Sequence, residues 1–255
     1  MELINLNPDN HAVNSSLFVR VKELFELDKL QSQRIVVIGL GATGSKIVRT
    51  LSLLGIPITA VDYDTVSISN VLTQVYRESD VDVPKTKALA DMLETRNSYR
   101  LDTMNLRVSA QNIHQLNIDE NTPIILAIDS VDATKELLSF FLRKEFKYIL
   151  YPGLPMNVTD IFLAEGIVRV VTKTNIERML LSLGDDTDES LMNELIKELK
   201  GCAVQQLNIL SDIVAAYTAQ LVLTIWCAEQ RQMPIKIQES YIVSGCLPLV
   251  RSSQI

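Results

Sequence analysis

The earliest strong hydrophobic signal in the chain is a β-branched run at residues 34–38, RIVVI. An uninterrupted run of this kind is typical of a strand that is buried on both faces of a parallel sheet. A glycine-rich turn follows, and residues 44–54 then place Ile47, Leu51 and Leu54 on one helical face. The pattern predicts a strand, a tight turn and a helix in direct succession.

The same alternation continues as far as residue 151. Further strands are predicted at residues 57–61, 106–109, 123–128 and 148–151, and helices at 84–97 and 133–144. Because strands and helices alternate, we expect an α/β fold. It would be a Rossmann-like, doubly wound, mainly parallel sheet with helices on both faces.

The pattern changes after residue 151. Residues 160–172 read IFLA-EG-IVRVV after Asp160 and predict a hairpin that turns at EG. Residues 175–200 are polar with helical spacing, and they form either a mobile crossover loop or an ordinary pair of surface helices. Residues 207–228 predict a long helix that is apolar nearly all round, hence a central core helix or a subunit interface. Closing strands at 240–250 complete an antiparallel C-terminal extension.

One folded domain is predicted over residues 17–255, after a mobile arm at 1–16. A helix at 17–30 opens the domain. Residues 17–155 would form a nucleotide-binding half, and residues 156–255 a substrate and dimerisation half.

The composition narrows the class of partner. The formal net charge is −7, and the basic residues form no strong cluster. We therefore expect no nucleic-acid groove and no attachment to an anionic membrane. The most apolar stretch, at 214–226, is too short and too interrupted to predict a transmembrane helix.

The start of the chain has no apolar core of the signal-peptide kind, and the cysteine pattern does not suggest disulfides. Cys202, Cys227 and Cys246 are odd in number and widely spaced. This pattern favours a reducing cytoplasm. With no CxxC pair and two histidines, a structural zinc site is not expected.

The turn after the first strand has the spacing G-x-G-x-x-G, with Gly39, Gly41 and Gly44 around Leu40, Ala42 and Thr43. The first glycine permits the turn, the second lets the backbone approach a phosphate, and the third lets helix and strand pack closely. The following helix start offers free N–H groups to an anion. The alternative is a turn that only packs a helix on a sheet.

Asp62 lies 18 positions after Gly44, at the end of the second predicted strand. A carboxylate there accepts hydrogen bonds from ribose hydroxyls in dinucleotide-binding folds. By themselves these features suggest NAD and an oxidoreductase. That hypothesis gives no reason for the residues that follow, and no Tyr-x-x-x-Lys or His–Asp arrangement is evident.

A second constellation follows Asp62. The chain continues DYDTVSISN, from Asp62 and Asp64 to Asn70, and then Gln74; PKTKAL follows with Lys85, and later DSVD with Asp129 and Asp132. In this order and spacing, residues 34–151 resemble the ThiF/MoeB/HesA family, bacterial relatives of the ubiquitin-activating enzymes. The resemblance is looser over the rest of the chain.

The resemblance implies an ATP- and magnesium-dependent adenylyltransferase that activates a carboxylate, usually the C-terminal glycine of a small ubiquitin-like or sulfur-carrier protein. It implies that Lys85 contacts phosphate, that Asp132 holds Mg²⁺, and that Asn70 and Gln74 contact the nucleotide. Lys85 is otherwise a solvated lysine at a helix start. Asp129 is either a site residue or the cap of the helix near Ala133.

The chain also departs from the family pattern. Thr73 stands where many members have arginine, and Arg77 is either its replacement or a surface arginine. Arg20 is the candidate for an arginine that some relatives extend into the partner subunit. The family's frequent CxxC zinc pair is missing.

Cys202 precedes the long apolar helix, as does the thioester- or persulfide-forming cysteine of some relatives. It is either a nucleophile or an incidental cysteine, whereas Cys227 and Cys246 are interpreted as structural.

The family places a helix comparable to the one at 207–228 at its dimer interface, which favours a homodimer. The loss of arginine at Thr73 leaves a further hypothesis open, a non-catalytic subunit paired with an active one. The acyl substrate is a ubiquitin-like protein, a sulfur carrier, a peptide or a modified tRNA base.

Overall fold

The computed structural model describes residues 27–154, 165–183, 202–244 and 250–253. The strands are β1 (Ile35–Ile38), β2 (Ile58–Asp62), β3 (Asp102–Asn105), β4 (Ile124–Leu126), β5 (Ile149–Gly153), β6 (Glu165–Val171), β7 (Ser240–Ser244) and β8 (Val250–Ser253). The helices are α1 (Leu27–Gln31), α2 (Gly44–Ser52), α3 (Lys85–Asn97), α4 (Val131–Leu142), α5 (Ile176–Ser182) and α6 (Cys202–Gln230).

Among these residues the strands form a single sheet in the order β3-β2-β1-β4-β5-β6-β7-β8. The pairs from β3 to β5 are parallel. The pairs from β5 to β8 are antiparallel. This topology confirms the predicted Rossmann-like sheet with an antiparallel C-terminal extension.

Each face of the sheet carries its own hydrophobic core, because side chains alternate along a strand. Ile35 and Val37 of β1 pack with α2, α3 and α6. Val36 and Ile38 point the other way and pack with α4 and α5. Helices therefore cover both faces, and this explains why the run at β1 is apolar at every position.

Two predicted elements are wrong. No strand forms at residues 106–109; the edge strand β3 precedes them, pairs with β2 and has exposed or half-buried side chains, so it has no hydrophobic run. Glu165 and Gly166 are not a turn, since both lie in β6 and pair with β7. A β-carbon at Gly166 would lie 2.1 Å from Val214 Cγ2, so this glycine makes room for α6.

Several predicted features lie outside the described residues. They are the arm at 1–16, most of the helix at 17–30 with Arg20, the first half of the hairpin at 160–164, the polar segment beyond residue 183 and Cys246.

The long helix α6 belongs to the core of this fold. It packs against α2, β5, β6 and β7. Its exposed side is one narrow stripe formed by Asp212, Ala216, Gln220 and Thr224, and most other described positions are buried. The part Asn208–Gln230 is long and apolar enough to cross a membrane by composition, contrary to the expectation from residues 214–226, but 61% of its most apolar window is buried inside the fold. The predicted homodimer interface stays a prediction.

A buried lysine joins α2 to α6. Lys46 Nζ lies 3.0 Å from the Asn208 carbonyl oxygen, 2.5 Å from Ser211 Oγ and 3.3 Å from Asp212 Oδ1. Burial lowers the pKa of Lys46, and Asp212 partly offsets this effect. The ammonium thus fixes α2, the helix that follows the glycine turn, to α6.

Two buried tyrosines differ in their hydrogen bonding. Tyr99 Oη donates to the Ile56 carbonyl oxygen at 2.5 Å and accepts from Ile58 N at 3.1 Å. Tyr148 Oη is buried with no hydrogen-bond partner among the described residues. Burial raises the pKa of both hydroxyls well above the ordinary value of 10.0. Both hydroxyls are neutral in the folded and the unfolded chain below about pH 10, and above it the unfolded chain ionises first, so the free energy of unfolding falls as the pH rises further.

We predict opposite effects of two tyrosine-to-phenylalanine changes at pH 7. Tyr148→Phe removes an unpaired buried hydroxyl and should raise the free energy of unfolding by about 1 kcal/mol, whereas Tyr99→Phe removes two hydrogen bonds and should lower it by about 1–2 kcal/mol. Each variant should lose less stability than the wild type between pH 10 and pH 11. Urea unfolding at each pH measures this, and equal destabilisation by both variants at pH 7 would contradict it.

Candidate functional site

The candidate site lies at the carboxyl ends of β1, β2 and β4. The chain passes from β1 to β2 and β3 on one side, and to β4 and β5 on the other. A crevice forms where a parallel sheet reverses its order in this way, and ligands bind there in open α/β folds. Ala127 N–H donates to the Ile38 carbonyl oxygen at 2.7 Å, which holds the loop after β4 beside the glycine turn.

The three glycines of the turn have different surroundings. Gly39 has a φ of +93°, and its β-carbon would lie 2.3 Å from the Ala127 carbonyl oxygen. A β-carbon at Gly44 would lie 1.9 Å from the Gly39 carbonyl oxygen. Around Gly41 no heavy atom lies within 4 Å of the β-carbon position among the described residues. Gly39 and Gly44 are therefore needed for packing, whereas Gly41 and the half-buried Ala42 border open space.

The start of α2 faces this space without a cap. The Thr43 side chain makes no capping hydrogen bond, and of the first-turn N–H groups Ser45 N–H donates to the Gly41 carbonyl oxygen at 3.2 Å. First-turn N–H groups that no side chain satisfies are the usual anion-binding donors of a helix. The open space at Gly41 is therefore lined by groups that suit a phosphate.

The carboxylate of Asp62 holds the turn in place. Its Oδ2 accepts from Leu40 N–H at 2.6 Å, and its Oδ1 accepts from Asp64 N–H at 2.8 Å. From the sequence, Asp62 is interpreted as a ribose-binding residue. The structure adds a second role, because Asp62 also holds the glycine turn and the loop after β2. Each carboxylate oxygen keeps a second lone pair, so ribose binding remains a prediction.

Tyr76 is a site residue that the sequence interpretation missed. Its hydroxyl donates to the Leu40 carbonyl oxygen at 2.9 Å. Burial is the main cause that raises its pKa, with further contributions from Asp62, Asp64 and Asp80. The neutral hydroxyl therefore fixes the carbonyl group of Leu40, whose N–H group is held by Asp62. No sequence motif marks this tyrosine; its position beside Arg77 is the sole signal.

Lys85 is buried and paired, not solvated. Its side chain is 8% exposed, and Nζ donates to Asp64 Oδ2 at 2.9 Å. Lys85 N–H also donates to the Asp64 carbonyl oxygen at 2.9 Å. This double contact fixes the first residue of α3 beside the loop after β2.

The segment between β2 and α3 contains the other predicted polar contacts. Asn70 Oδ1 accepts from Ser67 N–H at 2.9 Å, so its side-chain oxygen already stabilises a short 3₁₀ turn. Gln74 Oε1 is buried and has no partner among the described residues. Thr73, in the family's arginine position, is half-buried, and its hydroxyl donates to the Ser69 carbonyl oxygen at 3.3 Å. Gln74 is therefore the group with a free acceptor.

The acidic pair after β4 is exposed at the same edge. Asp129 lies in the loop and Asp132 in the first turn of α4, and both are exposed. The residue that caps α4 is Ser130, whose Oγ accepts from Ala133 N–H at 3.2 Å. The alternative role of Asp129 as the cap is therefore wrong, and both carboxylates remain available.

Two arginines border the site. Arg77 is exposed at the start of a short 3₁₀ helix, next to Tyr76. Arg107, which the sequence interpretation missed, lies with Cζ 5.3 Å from the ring centroid of Tyr63, the residue after Asp62. Leu106 N–H donates to the Asp62 carbonyl oxygen at 3.1 Å, which brings this arginine to the edge of the site.

The cysteines are not brought to this edge by any described contact. Cys202 is the first residue of α6, and its side chain lies outside the described residues. Cys227 is half-buried near the end of α6, and burial raises the pKa of its thiol. A raised pKa keeps this thiol protonated, which fits the structural role predicted for Cys227.

Comparison with known proteins identifies the family. The model of the ThiF family matches residues 14–234. The chain belongs to the ThiF family. The resemblance read from the glycine turn, Asp62, Asn70, Lys85 and Asp132 is thereby confirmed at the level of the family.

This ThiF-family chain is similar in sequence to two relatives and in fold to one solved structure. It is 31% identical over 190 residues to tRNA threonylcarbamoyladenosine dehydratase 2 of Saccharomyces cerevisiae, covering 68% of this chain and 42% of that protein. It is 24% identical over 127 residues to molybdopterin-synthase adenylyltransferase of Haemophilus influenzae, covering 49% of this chain and 52% of that one. The chain thus spans about half the length of these relatives.

The fold is shared with tRNA N6-threonylcarbamoyladenosine dehydratase of E. coli, solved in complex with ATP. The TM-score is 0.59 at 18% identity, over 85% of this chain and 97% of that one. At this identity the match shows a common fold.

The contrast between glycines predicts separate effects on folding and on ligand binding. Gly41→Ala should leave the thermal unfolding temperature unchanged, because its β-carbon points into open space, but should weaken ATP binding at least about tenfold by occupying that space. Gly44→Ala, the matched control, should lower the free energy of unfolding by about 2 kcal/mol or more through overpacking. Thermal unfolding and ATP titration measure both; unchanged ATP affinity in Gly41→Ala would contradict the assignment.

Proposed function

We propose that this chain is an ATP-dependent adenylyltransferase that activates a carboxylate. One observation carries the proposal: the open backbone at Gly41, the buried ammonium of Lys85 and the exposed carboxylates of Asp129 and Asp132 lie at the same edge of the sheet. Adenylation needs a phosphate cradle, a cation and a place for Mg²⁺. The family membership supports this use of the site.

In this proposal the triphosphate binds over Gly39–Gly44 and the start of α2. Lys85 offsets the negative charge that develops as the α-phosphate is attacked. Asp62 accepts from the ribose. Gln74 contacts the nucleotide once its side chain turns, because its unpaired Oε1 is buried in this structure. Asp64 keeps Lys85 in place, because their side chains are paired.

The acidic residues after β4 fit a magnesium ion. Mg²⁺ is usually held by one or two carboxylates together with phosphate oxygens. Asp132 is the proposed ligand, with Asp129 beside it, and both are exposed at the site edge. Bound Mg²⁺ supplies charge neutralisation for the triphosphate.

The proposed step is a substitution at phosphorus. A carboxylate oxygen of the substrate forms a bond to the α-phosphorus of ATP, and the bond from that phosphorus to the bridging oxygen of pyrophosphate breaks. The products are an acyl-adenylate and pyrophosphate. If Cys202 takes part, its thiolate attacks the acyl carbon, forms a thioester and releases AMP.

The proposed substrate is the C-terminus of a small ubiquitin-like or sulfur-carrier protein, acted on by a homodimer in the cytoplasm. A second candidate is a carboxylate on a modified tRNA base, because the yeast relative is a tRNA threonylcarbamoyladenosine dehydratase. The net charge of −7 favours the protein substrate, since a tRNA partner requires a basic surface.

The first test is pyrophosphate–ATP exchange with ubiquitin-like proteins, sulfur carriers, peptides and tRNA as acceptors. Lys85→Met should reduce the exchange rate about 10²–10³-fold, because a charge-stabilising donor is lost. Lys87→Met is the matched control, since Lys87 lies on the same helix, is exposed and pairs with Asp91. Exchange in Lys85→Met within threefold of wild type, in a folded protein, would rule out its proposed role.

The role of Arg77 discriminates between an active enzyme and a non-catalytic subunit. If Arg77 replaces the arginine that Thr73 lacks, Arg77→Ala should lower the exchange rate about tenfold or more and leave the unfolding temperature unchanged, since the side chain is exposed. Arg96→Ala, an exposed arginine of α3, is the control. Failure of the wild type to exchange with any acceptor while still binding ATP would favour the non-catalytic subunit.

A further inference from the structure

A partly buried arginine, Arg169, lies beside β5. Arg169 of β6 is paired in register with Tyr151 of β5. Its Cζ lies 5.7 Å from the centroid of the Tyr151 ring, and that tyrosine is buried. Among the residues that the structure describes, no carboxylate forms an ion pair with Arg169.

The guanidinium points towards the edge of the sheet that carries the candidate site. A β-carbon at Gly153 would lie 3.7 Å from Arg169 Nη1. Gly153 follows Tyr151 by two positions and ends β5. The side chain therefore extends from the middle of β5 to its carboxyl end, where the carboxyl ends of the other parallel strands also lie.

A partly buried guanidinium without an ion pair among the described residues is unusual. Burial lowers the pKa of Arg169. An arginine nevertheless stays charged in proteins. A charge that loses hydration without a partner costs free energy, so such groups are normally paired. The stacking on Tyr151 offsets part of this cost, because cation–π contacts contribute about 0.5–2 kcal/mol.

The position of Arg169 favours the substrate over the nucleotide. The glycine turn follows β1, and Lys85 lies on the β2 side of it. Gly153 is two strands away from β1 in the opposite direction, about 10 Å at the usual strand spacing. The loop with Asp129 and Asp132 follows β4 and lies between these two parts of the edge.

We propose that Arg169 is a specificity-determining residue that binds a side-chain carboxylate in an acidic segment of the acyl substrate. The inference rests on the proposed function, because it takes the other end of the edge as the place of ATP. It names a substrate class, a peptide segment with an acidic residue upstream of its C-terminal carboxylate. A cationic residue at the same position would be repelled.

The test uses labelled peptides that end in Gly-Gly and carry Glu, Gln or Lys at the same upstream positions, bound to the full chain and followed by fluorescence anisotropy. The wild type should bind the Glu peptide about tenfold more tightly than the Gln peptide, as expected for a charge-assisted hydrogen bond. Arg169→Gln should bind both equally, and Arg169→Glu should prefer the Lys peptide.

The control is Arg178→Gln. Arg178 lies on α5, on the same face of the sheet, and already pairs with Glu239. This variant removes the same charge from the protein and should keep the preference for Glu. Circular dichroism and an unfolding temperature unchanged from wild type show that each variant is folded, and ATP affinity is measured separately.

Three results would overturn the inference. They are equal binding of all peptides by wild type and Arg169→Gln, no binding of any peptide by the wild type, and a loss of ATP affinity in Arg169→Gln with peptide preference retained. The last would make Arg169 a nucleotide-binding residue. Failure of the wild type to bind ATP would instead contradict the function proposed above.

Discussion

The candidate site depends on one interaction, the pair of hydrogen bonds that the Asp62 carboxylate accepts from Leu40 N–H and Asp64 N–H. One oxygen holds the turn after β1 and the other holds the loop after β2. A carboxylate that accepts two backbone N–H bonds rigidly links two segments that are distant in sequence. Tyr76 then fixes the carbonyl group of Leu40 from the other side.

This rigid link determines the rest of the site. With Leu40 fixed, Gly39 and Gly44 can approach each other and Ala127 at distances that no β-carbon allows. The start of α2 is thereby directed into the crevice without a side-chain cap. Asp62 accepts a hydrogen bond from Asp64 N–H, and the Asp64 carboxylate pairs with Lys85. The buried ammonium of Lys85 therefore belongs to the same hydrogen-bond network.

The parallel and antiparallel halves of the sheet have different functions in our proposals. Its parallel half supplies the glycine turn, Asp62 and the acidic loop after β4, because parallel strands bring their carboxyl ends to one edge. The antiparallel extension begins at β6, whose Arg169 reaches back to that edge beside Gly153. In our proposals the first half binds the nucleotide and the second recognises the substrate.

By itself, the sequence determined the strands β1, β2, β4 and β5, the helices α2 to α4 and the family, because buried parallel strands and a motif of fixed spacing leave local signals. The sequence-based prediction was wrong at β3, because a strand at the exposed edge of the sheet requires no hydrophobic run. It was also wrong at Gly166, which the pattern predicts as a turn residue but which lies in β6, where only a glycine leaves room for Val214. Only the tertiary structure decided that Asp62 holds the turn, that Lys85 is buried against Asp64, that Ser130 caps α4, and that Arg169 lies at the site edge. These are contacts between distant residues, and a local pattern contains no information on them until the sheet brings its strands together.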